Sequence, residues 1–263
     1  MPGYKDWIEA IDIKVDYFSA FMKAWIAFNA WYNNSGEVTG KTDKECIEFV
    51  AGKSNRFKTY IESLLSANNT EGNTFKENLA SLHAALLSAA ITTQEYIGVR
   101  RTVSFSEVAV KNGNANEKFD FRNVKYECIR ARGKFTTTVT EIQSHTERLR
   151  FEQDEYNIDE LKQQSAFQRL SQERQRKCLE CYKKLEPYII TSVLSPEEKE
   201  GRYLAIGSYK FVLDNGAISQ AVVTVLYMLR CCLAHGDVSP DESSNNVYRY
   251  AYEVLCAPLR KLK

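Results

Sequence analysis

The clearest hydrophobic pattern in the chain lies near its carboxyl terminus, between Ala217 and Leu233. Apolar residues recur there three or four positions apart, the spacing of a helix that packs one face into a core; they are Ile218, Val222, Val225, Leu226, Leu229 and Leu233. Gly236 follows directly, and glycine is the residue that most often ends a helix. The pattern therefore predicts an apolar helix that stops just before Gly236.

A second apolar stripe predicts a long helix from Asp6 to Asn33. Its members keep helical spacing and most are aromatic: Phe18, Phe21, Met22, Trp25, Ile26 and Tyr32. Shorter helices are predicted at 43–51 and 55–67. Thr74 and Glu77 have the spacing of a capping box, which predicts the start of a further helix there.

Helical spacing fades in the middle of the chain, between about Val99 and Ile142. Around 119–128, apolar and polar residues alternate as they do in short strands. We therefore predict an insertion at about 99–142 that has room for a small β-hairpin. The core helices would lie on either side of it, at about 5–98 and 145–263.

The remainder of the chain is predicted to return to helix. The sequence is highly charged with sparse apolar anchors over 145–188, and Ser195-Pro196-Glu197-Glu198 has the form of a helix start. A less regular stretch over 201–216 is followed by the apolar helix and by a last helix at about 245–262. Together these elements predict a mainly α protein, a helical bundle in a single domain over 1–263.

Composition limits the class of protein. The chain has 263 residues, of which 44% are hydrophobic, enough for one large core or two modest ones. Seven cysteines without a spaced framework predict reduced thiols in the cytoplasm. We expect neither a signal peptide nor a membrane span. Because the net charge is only +1, contact with RNA would have to use local basic patches.

Basic residues of the insertion are the candidates for such a patch. The RNA-binding candidates are Arg100, Arg101, Arg130, Arg132 and Lys134, with Arg122 and Lys125 nearby. The alternative is an ordinary solvated face, because acidic residues dilute the charge: Glu107, Glu117, Asp120 and Glu127. Both interpretations stay open at this point.

The candidate chemistry lies at the end of the apolar helix, in Arg230-Cys231-Cys232-Leu233-Ala234-His235-Gly236. Cleavage of RNA without a metal needs a group that exchanges a proton near neutral pH and a fixed cation beside the phosphate, which histidine and arginine supply. The alternative is an ordinary helix end, where a basic side chain interacts favourably with the helix dipole. Five steps of about 100° turn His235 roughly 140° away from Arg230 on a regular helix. Either the helix end distorts, or a second copy of the chain completes the site.

Asn29 is the polar residue on the apolar stripe of the first helix. Its amide should be partly buried and must then be hydrogen-bonded. One interpretation is a structural tether between helices; the other is a group that orients Arg230 or a phosphate.

The other histidines and cysteines give weaker patterns. His83 is expected to be packed or at the edge of its helix, and His145 to lie at the surface. A zinc site is an alternative that the spacing does not favour, since a lone Cys-x-x-Cys carries little information; its ligands would be Cys178, Cys181, Cys231, Cys232 and His235. The sequence has no Gly-rich phosphate loop, nucleophile elbow or His-Glu-x-x-His pattern, which argues against the common ATPases, hydrolases and metalloproteases.

Two stretches resemble the HEPN superfamily (higher eukaryotes and prokaryotes nucleotide-binding domain). Leu226-Tyr227-Met228-Leu229-Arg230, then His235-Gly236, a short polar loop and a final helix are similar to the last two helices of that family. Phe21-Met22-Lys23-Ala24-Trp25-Ile26-Ala27-Phe28-Asn29-Ala30-Trp31-Tyr32 is similar to its aromatic first helix, with the ending Phe-Asn-x-x-Tyr. The resemblance covers roughly the first 35 and the last 50 residues.

The resemblance implies a metal-independent endoribonuclease that needs no cofactor. Catalytic members of the family dimerise so that two arginine–histidine motifs face one cleft, and many serve in toxin–antitoxin or antiviral defence systems. By this resemblance we expect a homodimer that acts on RNA, with an antitoxin or defence protein as a possible partner. Arg230 and His235 would be catalytic, and Asn29 and Cys231 would support them.

One position departs from the family. Active members commonly have a polar residue after the motif arginine, often asparagine, aspartate or histidine, where this chain has Cys231. The family also contains members that have lost cleavage. The alternative function is therefore a noncatalytic dimeric module that binds a partner protein or a nucleotide.

Overall fold

The computed structural model describes residues 16–96 and 99–263. The chain divides into two compact units, one formed by the residues up to Val110 together with Ile190–Lys263, the other by Lys111–Ile189. We call them the discontinuous unit and the inserted unit. The inserted unit begins later than the insertion predicted at 99–142 and ends well after it. The single-domain organisation over 1–263 stays a prediction.

The prediction of a mainly α helical bundle is wrong. About half of the structure is helical and about a fifth is in strands, which form four small sheets among the described residues. One reason is that the alternating segment continues through four strands rather than one hairpin. Two-residue turns at Arg122-Asn123 and Arg132-Gly133 connect three of them, and all four of these residues have positive φ. Positive φ at both central positions is typical of type I′ hairpin turns.

Side-chain caps set where most of the helices begin. The bounds are α1 Tyr17–Asn34, α2 Asp43–Gly52, α3 Arg56–Ser66, α4 Thr70–Ala89, α5 Ile158–Gln163, α6 Ser165–Gln168, α7 Gln172–Lys183, α8 Asn215–His235 and α9 Glu242–Leu259. Thr42 and Glu45 form a capping box before α2, and Asn55 caps α3. The capping box predicted at Thr74 is wrong, because Asn69 accepts a hydrogen bond from the backbone of Gly72 and starts α4 earlier.

The strands form one larger sheet and three pairs. Their bounds are β1 Thr92–Tyr96, β2 Val99–Thr102, β3 Val108–Lys111, β4 Asn116–Phe121, β5 Val124–Ala131, β6 Lys134–Glu141, β7 Glu147–Gln153, β8 Tyr188–Thr191, β9 Leu204–Ile206 and β10 Tyr209–Phe211. Strands β4 to β7 make an antiparallel sheet in chain order. The pairs are β1 with β2, β3 with β8, and β9 with β10.

Helix α8 lies in the core of the discontinuous unit, against α2, α3 and β1. Its predicted stripe is confirmed: Leu233 is partly buried and the other members are fully buried. The first helix is confirmed from Tyr17 onward, and residues 6–15 lie outside the described part of the chain. Ile26 is 62% exposed, so its assignment to the buried stripe of α1 is wrong.

Two further helix predictions are wrong. Glu147–Gln153 forms strand β7 instead of opening a helical region, because Leu149 is buried between the exposed side chains of Arg148 and Arg150. No helix starts at Ser195-Pro196-Glu197-Glu198. There the backbone of Ser195 donates to the carbonyl of Lys210, and this bond holds the segment against β10.

The inserted unit has its own hydrophobic core. One face of the β4–β7 sheet packs against α7, through Tyr126, Cys128 and Val139 of the sheet and Cys178, Cys181 and Tyr182 of the helix.

Among the described residues, one helix is long and apolar enough to cross a membrane by length and composition, and it is α8. Most of its apolar stretch is buried inside the protein. The core helices of soluble proteins have this same character, so the fold is compatible with a soluble protein.

Candidate functional site

The end of α8 has the predicted glycine stop. Gly236 adopts a left-handed backbone, with φ of 73°, and its N–H donates to the carbonyl of Leu233. The N–H of Asp237 donates to the carbonyl of Cys232 at 2.8 Å, so two of the last four carbonyls of the helix accept hydrogen bonds from the residues that follow it. His235 is the final helical residue and is exposed.

Arg230 lies five positions earlier and is partly buried, with 29% of its side chain exposed. Its Nη2 is 3.7 Å from Oδ2 of Asp43, the first residue of α2. The Nε of Arg230 and the Oδ2 of Asp43 are both buried and have no hydrogen-bond partner among the described residues. The two groups therefore attract each other by charge without a direct hydrogen bond.

The other oxygen of Asp43 is bound by α1. The Nδ2 of Asn29 donates to the Tyr32 hydroxyl at 2.6 Å and to Asp43 Oδ1 at 3.3 Å. The Tyr32 hydroxyl donates to the same Oδ1. Asn29 is partly buried and hydrogen-bonded, as expected from its position on the stripe. It reaches Arg230 indirectly, because the Asp43 carboxylate lies between them.

Tyr32 is a permanent donor in this cluster. Burial is the main cause that raises its pKa well above the usual range, and the hydrogen bond to Asp43 and the negative charge of that carboxylate add to it. A deprotonated tyrosine beside the carboxylate would create two neighbouring negative charges. The neutral hydroxyl instead secures Oδ1.

The two cysteines of the motif have different surroundings. Cys231 is partly buried, and Cys232 is buried with its Sγ 3.9 Å from the carbonyl oxygen of Thr92. Burial raises the pKa of the Cys232 thiol to about 12, so this group stays protonated and acts as a small apolar side chain. Within residues 16–96 and 99–263, no group of three His, Cys, Asp or Glu side chains is arranged to hold a metal ion.

The other histidines lie where the sequence placed them. His83 is buried among the rings of Phe105, Tyr209 and Phe211, with the Tyr209 centroid 4.4 Å from its own. His145 is exposed. Neither is near a cluster of groups with catalytic chemistry among the contacts that the structure describes.

The basic candidates of the central region differ in their surroundings. The side chain of Arg100 lies outside the described part of the chain, and Arg101 has its Nε buried. Arg130 donates to the carbonyl of Asn112 at 2.6 Å, so its guanidinium is already hydrogen-bonded within the inserted unit. Arg132 is exposed in a turn, and Lys134 lies 3.8 Å from Asp154.

Charge on the open face of the β4–β7 sheet is balanced. Lys118 lies opposite Glu127 and Asp120 opposite Lys125, so cations and anions alternate across the strands. This arrangement is what the solvated-face interpretation expects, and a phosphate backbone gains little from it.

Sequence reasoning missed Asp43 and Tyr32 as members of the site. From the sequence, Asp43 was predicted only as the start of a helix, and Tyr32 as a residue of the apolar stripe and of the Phe-Asn-x-x-Tyr ending, without a role in the site. The available signal was the Phe-Asn-x-x-Tyr ending, which places an amide and a hydroxyl on one side of a helix.

Comparison of the chain with protein-family models, with curated proteins and with solved structures gives no match.

Proposed function

We propose that this chain is a metal-independent endoribonuclease of the HEPN type, active in the cytoplasm. The observation that carries the proposal is the arrangement around Arg230. The Arg230 side chain is partly exposed and lies beside a carboxylate, and His235 is exposed at the end of the same helix. An arginine and a histidine with access to solvent are the groups that such a reaction needs.

In the proposed reaction, His235 acts as the general base. It takes the proton from a ribose 2′-hydroxyl, whose oxygen forms a bond to the adjacent phosphorus while the bond to the 5′-oxygen breaks. Arg230 stabilises the negative charge that builds on the phosphate oxygens in the transition state. The products are a 2′,3′-cyclic phosphate and a free 5′-hydroxyl, after the leaving oxygen takes up a proton.

The site is proposed to be completed by a second copy of the chain. Helix α8 continues as an α-helix up to His235, which favours a shared cleft over a distorted helix end. On such a helix, Arg230 and His235 point in directions roughly 140° apart. A two-fold dimer would bring Arg230 of one copy and His235 of the other to one phosphate.

The biological setting follows from the resemblance alone. Because many catalytic members of this family serve in toxin–antitoxin or antiviral defence systems, the proposal includes an antitoxin or another defence protein as a partner. The supporting roles of Asn29 and Cys231 belong to the same proposal. Asn29 would act on Arg230 through Asp43, and Cys231 would support the arginine from the next position in the helix.

One observation favours the second candidate, a noncatalytic binding module. Arg230 has a carboxylate of its own chain beside it, so part of its charge is already compensated. Together with Cys231 in place of a polar residue, this arrangement suits a structural arginine. The same helical unit would then bind a partner protein or a nucleotide.

An RNA-cleavage assay separates the two candidates. The purified chain is incubated with a fluorescein-labelled single-stranded oligoribonucleotide in excess EDTA, and products are analysed by mass spectrometry. The nuclease proposal expects fragments that end in a 2′,3′-cyclic phosphate, with no loss of rate at high chelator. An uncut oligonucleotide after incubation with an excess of folded protein would favour the binding module.

A further inference from the structure

Arg230 has a neighbour that attracts it without using its hydrogen-bond donors. The 3.7 Å between Arg230 Nη2 and Asp43 Oδ2 is longer than a hydrogen bond, and the Arg230 Nε is buried without a partner among the described residues. A guanidinium has five N–H donors, and a direct bidentate pair would occupy two of them. In the observed arrangement Asp43 makes no such pair, so it does not occupy the Nη donors that a phosphate would use; the buried Nε is not one of them.

The carboxylate of Asp43 is itself fixed from two sides. Its Oδ1 accepts hydrogen bonds from Tyr32 and Asn29 of α1. Its backbone belongs to the first turn of α2, directly after the capping box in which Thr42 accepts from the N–H of Glu45 at 3.2 Å. Oδ2 is the oxygen left to face Arg230. The charge beside the guanidinium therefore has a defined position.

Such a carboxylate opposes RNA binding, since it repels a phosphate that approaches Arg230. Its benefit must come from orientation, because a long arginine side chain loses considerable freedom when it is held in one direction. Removal of the negative charge should consequently have opposite effects on binding and on turnover.

Resting on the nuclease function proposed above, we propose that Asp43 is a positioning residue for Arg230. The negative charge of Asp43 holds the guanidinium in the orientation in which it meets the phosphate. Hydrogen bonds from Tyr32 and Asn29 hold the Asp43 carboxylate in place. The role predicts a specific kinetic pattern: loss of the charge lowers kcat and does not raise the KM for RNA.

The test is Asp43→Asn, which retains size and an acceptor for Tyr32. We expect a kcat roughly 10- to 100-fold lower, the range for a misplaced catalytic group, with an unchanged or lower KM. Thr42→Ala is the matched control, because it removes the cap of the same helix turn and leaves the carboxylate in place. A higher kcat in Asp43→Asn, or an equal loss in Thr42→Ala, would overturn the proposal.

A second readout does not depend on cleavage. In ¹⁵N-arginine spectra, the Nε–H signal of Arg230, assigned by its absence in Arg230→Lys, reports how freely the guanidinium rotates. We expect restricted rotation in the parent and in Thr42→Ala, and faster rotation in Asp43→Asn. Equal rotation in all three would refute the positioning role. Absence of RNA cleavage by the parent, with the expected spectra, would instead refute the nuclease function alone.

Discussion

The hydroxyl of Tyr248 donates a buried hydrogen bond of 2.7 Å to the carbonyl oxygen of Leu229, which joins α9 to α8 one residue before Arg230. The ring of Tyr248 also packs edge-on against Phe21 and lies 5.0 Å from Phe18, so one side chain connects three helices. Burial raises the pKa of Tyr248 well above its usual range, and the donor is therefore always present.

Tyr248→Phe should lower the free energy of unfolding by about 1 kcal/mol, because it removes one buried hydrogen bond and keeps the ring. Urea unfolding followed by circular dichroism measures the change. The control is Tyr250→Phe on the same helix, where the ring rather than the hydroxyl contacts Arg249. An equal change in both variants would contradict a specific contribution from the Tyr248 bond.

A second prediction concerns the dependence of stability on pH. Burial lowers the pKa of His83 from its ordinary value of 6.5, so the unfolded chain takes up the proton more readily than the folded one. The stability that the neutral imidazole contributes is present above this value and is lost as the pH falls below it. The free energy of unfolding should therefore decrease as the pH is lowered from about 7.5 to 5.5. Below the unfolded pKa, the decrease is at most about 1.4 kcal/mol per pH unit.

His83→Phe provides the test of this assignment, since phenylalanine suits the surrounding aromatic rings and does not titrate. Its unfolding free energy should vary less with pH than that of the parent over the same range. His145→Gln alters an exposed histidine and should retain the full dependence. If His83→Phe shows the parental slope, acid sensitivity originates elsewhere in the protein.

The third prediction separates catalysis from stability at the end of α8. His235→Ala should abolish RNA cleavage and shift Tm by only a few degrees, because a basic side chain at a helix end contributes roughly 0.3–2 kcal/mol. Arg230→Lys should also be severely impaired, since a point charge cannot reproduce the planar fork that grips two phosphate oxygens. His145→Ala is the surface control. Parental cleavage rates in His235→Ala would remove this histidine from the mechanism.

The fourth prediction concerns assembly. Light scattering should give twice the chain mass of 30.1 kDa at the concentrations where cleavage is measured. When inactive Arg230→Ala and His235→Ala chains are mixed, part of the activity should return, because a mixed dimer contains one cleft with both groups intact. A monomer mass for the active protein would contradict the shared cleft.

Local patterns predicted the elements around the motif well. The apolar stripe of α8 and the stop at Gly236 depend on helical period and backbone chemistry, which neighbouring residues determine. Asn29 was likewise recognised, because a polar residue on an apolar stripe must find partners inside the protein. These features are confirmed by the burial and hydrogen bonds of the discontinuous unit.

The failures have a different physical origin. Asp43 pairs with Arg230 from a distant part of the chain, and no local spacing indicates which acid will meet which base. Strand β7 was predicted as helix because its alternation covers few residues and is rich in charge, so its period is defined mainly by Leu149 and by pairing with β6. Tertiary contacts decided both cases.

The division of the discontinuous unit along the chain also has a consequence for synthesis on the ribosome. Its core joins Phe21 and Leu79 of the first helices to Val225 and Leu255 of the last two. Apolar faces of α1–α4 thus emerge long before their partners are translated, whereas the contiguous inserted unit can fold as soon as it leaves the exit tunnel. The pairing of Asp43 with Arg230 must wait until α8 has been translated. A nascent chain therefore lacks the assembled motif until α8 has left the exit tunnel.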